Sequence, residues 1–147
     1  MTTIACRDGV MAADSQFTHG GLSTRGQKLF RVGDAIIGFC GHVHAAMVFV
    51  DWYENREARK PDMGNENEWE ALVLHGQTLE HWTASLRPVA CLDPYYAIGS
   101  GSHLAIGAMW AGADARQAIE AARRWDTNTG GRIVTLQNTP KRARKKG

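Results

Sequence analysis

Two turns in the first forty residues constrain this chain more than any other feature. Thr2 to Cys6 and Val10 to Ala13 are short apolar runs joined by Arg7-Asp8-Gly9, and Lys28 to Val32 and Ala35 to Cys40 are joined by Gly33-Asp34. Gly and Asp at such junctions supply the positive φ that a tight hairpin turn demands. Four strands arriving as two hairpins predict an antiparallel sheet, because a parallel pair needs a long crossover between its strands. His19-Gly20-Gly21, between the two pairs, reads as a loop.

From His42 the period changes. Ala45, Val48, Phe49, Trp52 and Tyr53 recur at helical spacing, which predicts a helix to about Arg59, stopped by Lys60-Pro61. Pro61 to Glu68 is a polar loop. Ala71 to Leu74 and Thr78 to Ala84 form another hairpin around Gly76-Gln77, and Tyr95 to Ile98 a further strand. Gly99-Ser100-Gly101-Ser102 turns the chain into a helix over His103 to Ala111. A second helix follows, with Asp114 as N-cap and Gln117 completing a capping box. Ala118, Ile119, Ala122 and Trp125 give it one apolar stripe, and all five tryptophans (Trp52, Trp69, Trp82, Trp110 and Trp125) read as core or packing residues. Asp126 to Gly131 is a loop and Ile133 to Leu136 a closing strand. Strands, one helix, strands, two helices, strand: this order predicts an α+β fold with two antiparallel sheets between helices.

Composition sets outer bounds. The 147 residues are 44% apolar and 22% charged, enough for one domain with a core of its own, expected over 1–137. No apolar run approaches the ~20 residues a bilayer crossing needs, and the first residues lack the basic-then-apolar order of a signal peptide. Cys6, Cys40 and Cys91 are odd in number and widely spaced, against a disulfide framework or a Cys-x-x-Cys metal site. The expected location is the reducing cytoplasm. The net charge of +2 conceals five Lys or Arg in the final KRARKKG, which leaves the remainder at −3. Residues 138–147 read as a basic, disordered tail. With no aromatic to stack on bases, the tail argues poorly for nucleic acid.

Chemistry can begin at the second residue. Met1 is removed when a small residue follows it, and Thr2 would then carry a free α-amine a few bonds from its own hydroxyl. That amine has a reference pKa of about 7.7–8.0, so it can act as a base near neutrality, an established way to activate a threonine nucleophile. A cation nearby would lower the amine's pKa. Lys28 can supply the cation and Asp14 the anion that orients it, although such a pair is more commonly a partly exposed salt bridge of about 0–1 kcal/mol. Gly41, at a strand-to-helix turn, can offer an unobstructed N–H to an oxyanion. The Gly99–Ser102 turn lacks the spacing of a P-loop or a dinucleotide fingerprint, and Ile98 stands where a nucleophile elbow would have its first glycine.

Taken together, TTIACRDGVMAADSQ, QKLFRVGDAIIGFCG, YYAIGSGSHLAIGAMWAG and DTNTGGRIVTL, in this succession, resemble the proteasome β-subunit family, especially its HslV-like bacterial and phage branch. The resemblance covers Thr2 to about Gln137, with a poorly matched middle from Lys60 to Asp93. It implies the αββα four-layer sandwich of N-terminal nucleophile hydrolases and a threonine-type endopeptidase. Thr2 then matches the nucleophile, Lys28 the active-site lysine, Asp14 its partner and Gly41 the oxyanion glycine. Ser100 matches the serine beside the nucleophile's amine. Asp126 and Thr129 match its supporting Asp-x-x-Ser pair, with threonine in place of serine. Thr18 matches a residue that binds substrate backbone as an added strand. Phe39 and Val43, with Phe17 nearby, fall where relatives line an apolar specificity pocket. Backbone carbonyls of Arg123, Asp126 and Thr129 match a loop that holds Na+ or Mg2+ in some relatives; no cofactor is otherwise required.

The resemblance also implies peptide or unfolded-protein substrates, a homo-oligomeric single or double ring, and an AAA+ ATPase unfoldase as partner. Two departures bear on the assembly. One helix lies between Gly41 and Ala71 where relatives have two, and Ser100 to Asp126 is two to three helical turns short, at ~3.6 residues per turn. Those helices carry ring and partner contacts in the family. Two other readings stay open: a small-molecule amidase using the same nucleophile, and a non-catalytic ring component.

Overall fold

Both predicted N-terminal hairpins form. The computed structural model describes residues 2–64 and 68–138; Met1, part of the polar loop and the basic tail beyond Asn138 lie outside the described residues. Strands β1 (Thr3–Arg7) and β2 (Val10–Ala13) pair antiparallel across Asp8 and Gly9, whose φ values of 53° and 75° are both positive, as a type I′ turn requires. Strands β3 (Gln16–His19) and β4 (Leu22–Arg25) make a small hairpin of their own. Strands β5 (Leu29–Val32) and β6 (Ala35–Gly41) follow, then helix α1 (Val43–Glu54). Next come β7 (Trp69–His75), β8 (Thr78–Thr83), β9 (Val89–Ala90) and β10 (Tyr95–Gly99). Helices α2 (Ser102–Trp110) and α3 (Ala115–Trp125) and strand β11 (Val134–Gln137) complete the described chain.

Every strand pairing is antiparallel. The order β10-β1-β2-β11 makes one sheet and β5-β6-β7-β8-β9 the other. Period-2 alternation sends Ile4, Cys6, Met11 and Ala13 to one face of the first sheet, where they pack with Leu29, Ile36, Leu72 and Leu74 of the second. The opposite face of the first sheet is lined by Ala5, Ala12 and Ala97, small enough for α2 and α3 to bring Ala105, Met109, Ala118 and Ile119 against it. The outer face of the second sheet (Ala35, Ile37, Phe39, Ala71, Val73) packs on α1 through Phe49, Trp52 and Tyr53. Phe49 sits with ring centroids 4.9 Å from Trp69 and 5.3 Å from Trp82. The fold is α+β, with three helices and antiparallel sheets among the described residues.

Several sequence expectations change. α1 ends at Glu54, about one turn before Arg59, and Asn55 closes it by donating its N–H to Trp52 O. Trp52, Trp69 and Trp82 are buried, but Trp110 and Trp125 are 81% and 73% exposed. Trp125 is therefore not part of the apolar stripe of α3; it lies under the Arg124 guanidinium. The capping box forms as expected: Asp114 Oδ1 accepts the Gln117 N–H at 2.8 Å and Gln117 Oε1 the Asp114 N–H at 2.9 Å. Asn138 anchors the end of β11, donating its backbone N–H to Gly9 O and its Nδ2 to Gly76 O. Among the described residues no helix is long and apolar enough to cross a membrane.

Candidate active site

Thr2 leads into β1 and is 2% exposed. Its carbonyl accepts the Ser100 N–H at 2.9 Å, because β10 runs beside β1 with Gly99 opposite Thr3. Gly99 has a φ of +101°, and a Cβ there would collide with Thr2 O. Only glycine fits so close to that carbonyl.

Two polar networks converge on the Thr2–Thr3 segment. In the first, Lys28 Nζ donates to Asp14 Oδ1 at 2.9 Å and to Gln16 O, and it lies 4.9 Å from the Phe17 ring centre. Asp14 Oδ1 also accepts the Thr3 N–H at 3.2 Å, and Oδ2 accepts the Gly130 N–H at 3.0 Å. Both side chains are wholly buried, not half-exposed as such pairs usually are. Burial pushes the Lys28 ammonium below its ordinary pKa, with Asp14 opposing that shift by charge and hydrogen bond.

In the second network, Asp126 Oδ2 accepts from Ser100 Oγ at 2.5 Å and from Thr129 Oγ1 at 2.6 Å. Thr129 Oγ1 is 2.7 Å from Thr3 Oγ1, which accepts the Gly101 N–H at 3.0 Å. Burial pushes the Asp126 carboxyl up, but the bonds from Ser100, Thr129 and the Asn128 N–H outweigh it, and the pKa falls below its ordinary value. The two networks join where Gly130 follows Thr129.

Gly41 ends β6 with a φ of +94°; a Cβ on it would strike Glu68 O and come within 2.8 Å of Trp69 Cα. Lys28 O accepts the Phe39 N–H at 3.2 Å, so the lysine backbone stands on β6 two residues short of Gly41. Of the expected substrate contacts, Thr18 is exposed on β3, which pairs only with β4 among the described residues. Phe17 stacks on Phe39, centroids 6.4 Å apart. Phe39 is 1% exposed within the α1 cluster while Val43 stands 44% exposed at the start of α1, so these two do not share one open wall. A cavity of about 360 Å³ borders Asp14 and Lys28, between Ser15, Arg25, Arg132 and Val134.

For the expected cation loop, Asp126 O already accepts the Thr129 N–H at 3.1 Å, and Arg123 lies in the last turn of α3, where carbonyls lack helical partners. Backbone oxygens suit a hard cation such as Na+ or Mg2+. Among the described residues no cluster of three His, Cys, Asp or Glu side chains could hold a metal.

Sequence reasoning passed over Thr3, Gly130 and the Gln16 carbonyl. Thr3 had one signal: a hydroxyl on a strand buried on both faces must find a partner. The other two act through backbone atoms and leave no mark in the side-chain code.

No protein-family profile and no curated protein sequence matches the chain. Solved structures do match its fold. BPH of Thiobacillus denitrificans in complex with epoxomicin aligns with a TM-score of 0.69 at 19% identity, covering 95% of this chain and 99% of that one. A second structure of Thiobacillus denitrificans BPH gives 0.68 at 20% identity, over 95% and 98%. A eukaryotic HslV from Trypanosoma brucei gives 0.62 at 20% identity, over 92% and 98%. The chain has the proteasome- and HslV-like α+β fold, aligned over nearly the whole length of each.

Proposed function

We propose that this protein is a threonine-type peptidase in which Thr2, exposed by removal of Met1, is the nucleophile. One observation carries the reading: the Asp14–Lys28 pair and the Ser100–Asp126–Thr129 network both end on the Thr2–Thr3 segment, at the start of a buried strand. The three apolar clusters support an αββα order of layers, the sandwich of N-terminal nucleophile hydrolases.

The Thr2 hydroxyl attacks the substrate's carbonyl carbon while the α-amine takes the hydroxyl proton. The Gly41 N–H steadies the negative oxygen of the tetrahedral intermediate. The amine returns its proton to the leaving nitrogen, the C–N bond breaks, and an ester joins Thr2 to the acyl half. Water then attacks that ester with the same amine as base, freeing the acid and restoring the hydroxyl. Lys28 disfavours protonation of the amine, and Asp14 keeps the lysine charged and oriented. The edge of β3 at Thr18, which among the described residues pairs only with β4, takes the peptide as an added strand, and Phe17, backed by the buried Phe39, and the exposed Val43 favour apolar side chains before the cut. The Arg123, Asp126 and Thr129 carbonyls would hold a structural Na+ or Mg2+, which no step requires. Homo-oligomeric ring assembly in the cytoplasm, with or without an ATPase, belongs to the same proposal.

The test is covalent labelling. Incubated with a β-lactone, the Met1-free protein gains the mass of the acyl group on its Thr2 peptide, and Thr2→Ala gains none. The complex of BPH with epoxomicin makes that compound a second probe. A trimmed, folded sample that stays unlabelled at Thr2 overturns the reading.

A further inference from the structure

Lys28 keeps an ammonium where water does not reach it: its side chain has no exposed surface. An ammonium carries three N–H donors. Asp14 Oδ1 accepts one at 2.9 Å and Gln16 O a second, and among the described residues no third acceptor bonds it. Burial pushes its pKa down, toward the neutral amine, and the Asp14 charge and hydrogen bond push back. A further contact is the Phe17 ring. Nζ lies over its face, 4.9 Å from the centroid, inside the ~6 Å over which the negative face of a ring attracts a cation. An aliphatic side chain in that place would exclude water as well and return nothing to the charge.

The sequence builds the ring into this position. Phe17 follows Gln16 on β3, and the chain returns from β4 with the Gly26 N–H donating to Ser15 O at 2.9 Å. Gly26 therefore lies against the ring: a Cβ on it would stand 2.0 Å from Phe17 Cε2. Its φ is not in the left-handed region, so it is the ring that asks for glycine here. Phe39, 1% exposed, stacks on Phe17 with 25° between the planes, and Phe30 stacks on Phe39 in turn. The other charged and titratable groups around Lys28 are Asp14 beyond β2, Cys40 on β6, Arg25 and Arg132 on the adjoining cavity, and the Thr2 amine once Met1 is gone. Burial keeps the Cys40 thiol protonated, and both arginines stay charged. In the mechanism above, Lys28 and the Thr2 amine are then a coupled pair: the reactive form has the proton on Lys28 and a neutral amine.

We propose that Phe17 is a positioning residue whose ring face holds the Lys28 ammonium charged and in place, so that the proton shared with the Thr2 amine stays on Lys28. This rests on the reading of Thr2 as nucleophile. It is separate from any contact of Phe17 with substrate, because it acts through the lysine. A face attraction at a desolvated site is worth about 2- to 30-fold in the proton's preference for Lys28. The sign is fixed: weakening the face lowers the Lys28 pKa, moves the proton onto the amine and takes away the base.

The experiment replaces Phe17 with phenylalanine carrying one, two and three ring fluorines, which drain the negative face stepwise and keep the ring's shape. On Met1-free protein, NMR of isotope-labelled lysine follows the Lys28 titration, and β-lactone labelling of Thr2 is timed at pH 7. Across the series the Lys28 pKa should fall by about 0.4 to 1.5, and labelling should slow about 2- to 30-fold. A ring that only fills space would move neither, since each substituted ring fills the same place. A Lys28 titration unchanged across the series overturns the proposal, as does one that falls while the labelling rate at pH 7 holds. Should the fluorinated proteins not fold, Phe17→Leu, an apolar cover without a face, decides alone, and a wild-type Lys28 titration in it overturns the proposal. A wild type that resists labelling removes the peptidase reading and this proposal together; normal wild-type labelling with a Lys28 titration unmoved by fluorine removes only this one.

Discussion

Lys28 Nζ lies 2.9 Å from Asp14 Oδ1, and neither side chain has any exposed surface. Asp14 has filled its remaining positions with the Thr3 and Gly130 N–H groups, so the pair is also the joint between β1, the Lys28 segment and the loop after α3. Desolvating two ions is repaid only when geometry and additional hydrogen bonds are good, and removing one partner leaves the other charged and buried. Lys28→Met should therefore cost about 3–5 kcal/mol, read from urea denaturation. The double variant Asp14→Asn/Lys28→Met, with no charge left to desolvate and an amide oxygen still facing Thr3, should recover part of that loss. A single variant as stable as wild type would show that the pair does not hold this joint.

Gly41→Ala tests the oxyanion turn. The φ of +94° strains any L side chain, and the new Cβ would press on the Glu68 and Trp69 backbone, which cannot rotate away. Strain of this kind costs about 1–3 kcal/mol. The melting temperature should fall and peptide cleavage should fall further than stability alone explains, since relief of the clash moves the Gly41 N–H. Unchanged cleavage by a folded Gly41→Ala protein would remove that N–H from the mechanism.

The hairpins were legible because their turn residues and apolar runs agree: Asp8-Gly9 and Gly33 sit between strands that are buried on at least one face. The capping box of α3 was legible for the same reason, a local rule with a local partner. The β3–β4 hairpin was not. Its sequence, QFTHGGLSTR, is half-buried or exposed throughout and carries no core-facing alternation to read. β9, only two exposed residues long, gave no pattern either. Trp110 and Trp125 misled because size and apolarity say nothing about which helix face a residue occupies at its end. At the site, the resemblance pointed to Thr2, Asp14, Lys28, Ser100, Asp126 and Thr129, which the fold links through hydrogen bonds.

Thr3→Val separates the second residue's neighbour from the nucleophile itself. Thr3 is 0% exposed, and its Oγ1 bridges Thr129 Oγ1 and the Gly101 N–H. Valine keeps the shape and removes the oxygen, leaving a buried N–H and a hydroxyl short of a partner, at about 1–3 kcal/mol. Thermal denaturation should show that loss, while β-lactone still labels Thr2. If stability were unchanged, a water or a rotated Thr129 would be replacing the bridge.

Asp126 gives the acid limb of stability a specific origin. Its carboxyl titrates below its ordinary value of 3.8 in the folded protein: burial raises the pKa, and the Ser100, Thr129 and Asn128 hydrogen bonds lower it by more. A carboxyl with a depressed folded pKa binds fewer protons folded than unfolded, so its contribution is fully present above the unfolded pKa and is lost as pH falls through the folded one. Wild type should therefore lose stability as pH drops below about 4. Asp126→Asn cannot titrate and keeps acceptors for both hydroxyls. It should be less stable than wild type at pH 7 and show a shallower decline toward pH 2. Urea midpoints measured at half-unit pH steps would show the two curves converging in acid. Parallel curves would mean that the acid sensitivity resides elsewhere, and that Asp126 holds Ser100 and Thr129 equally well with its proton on.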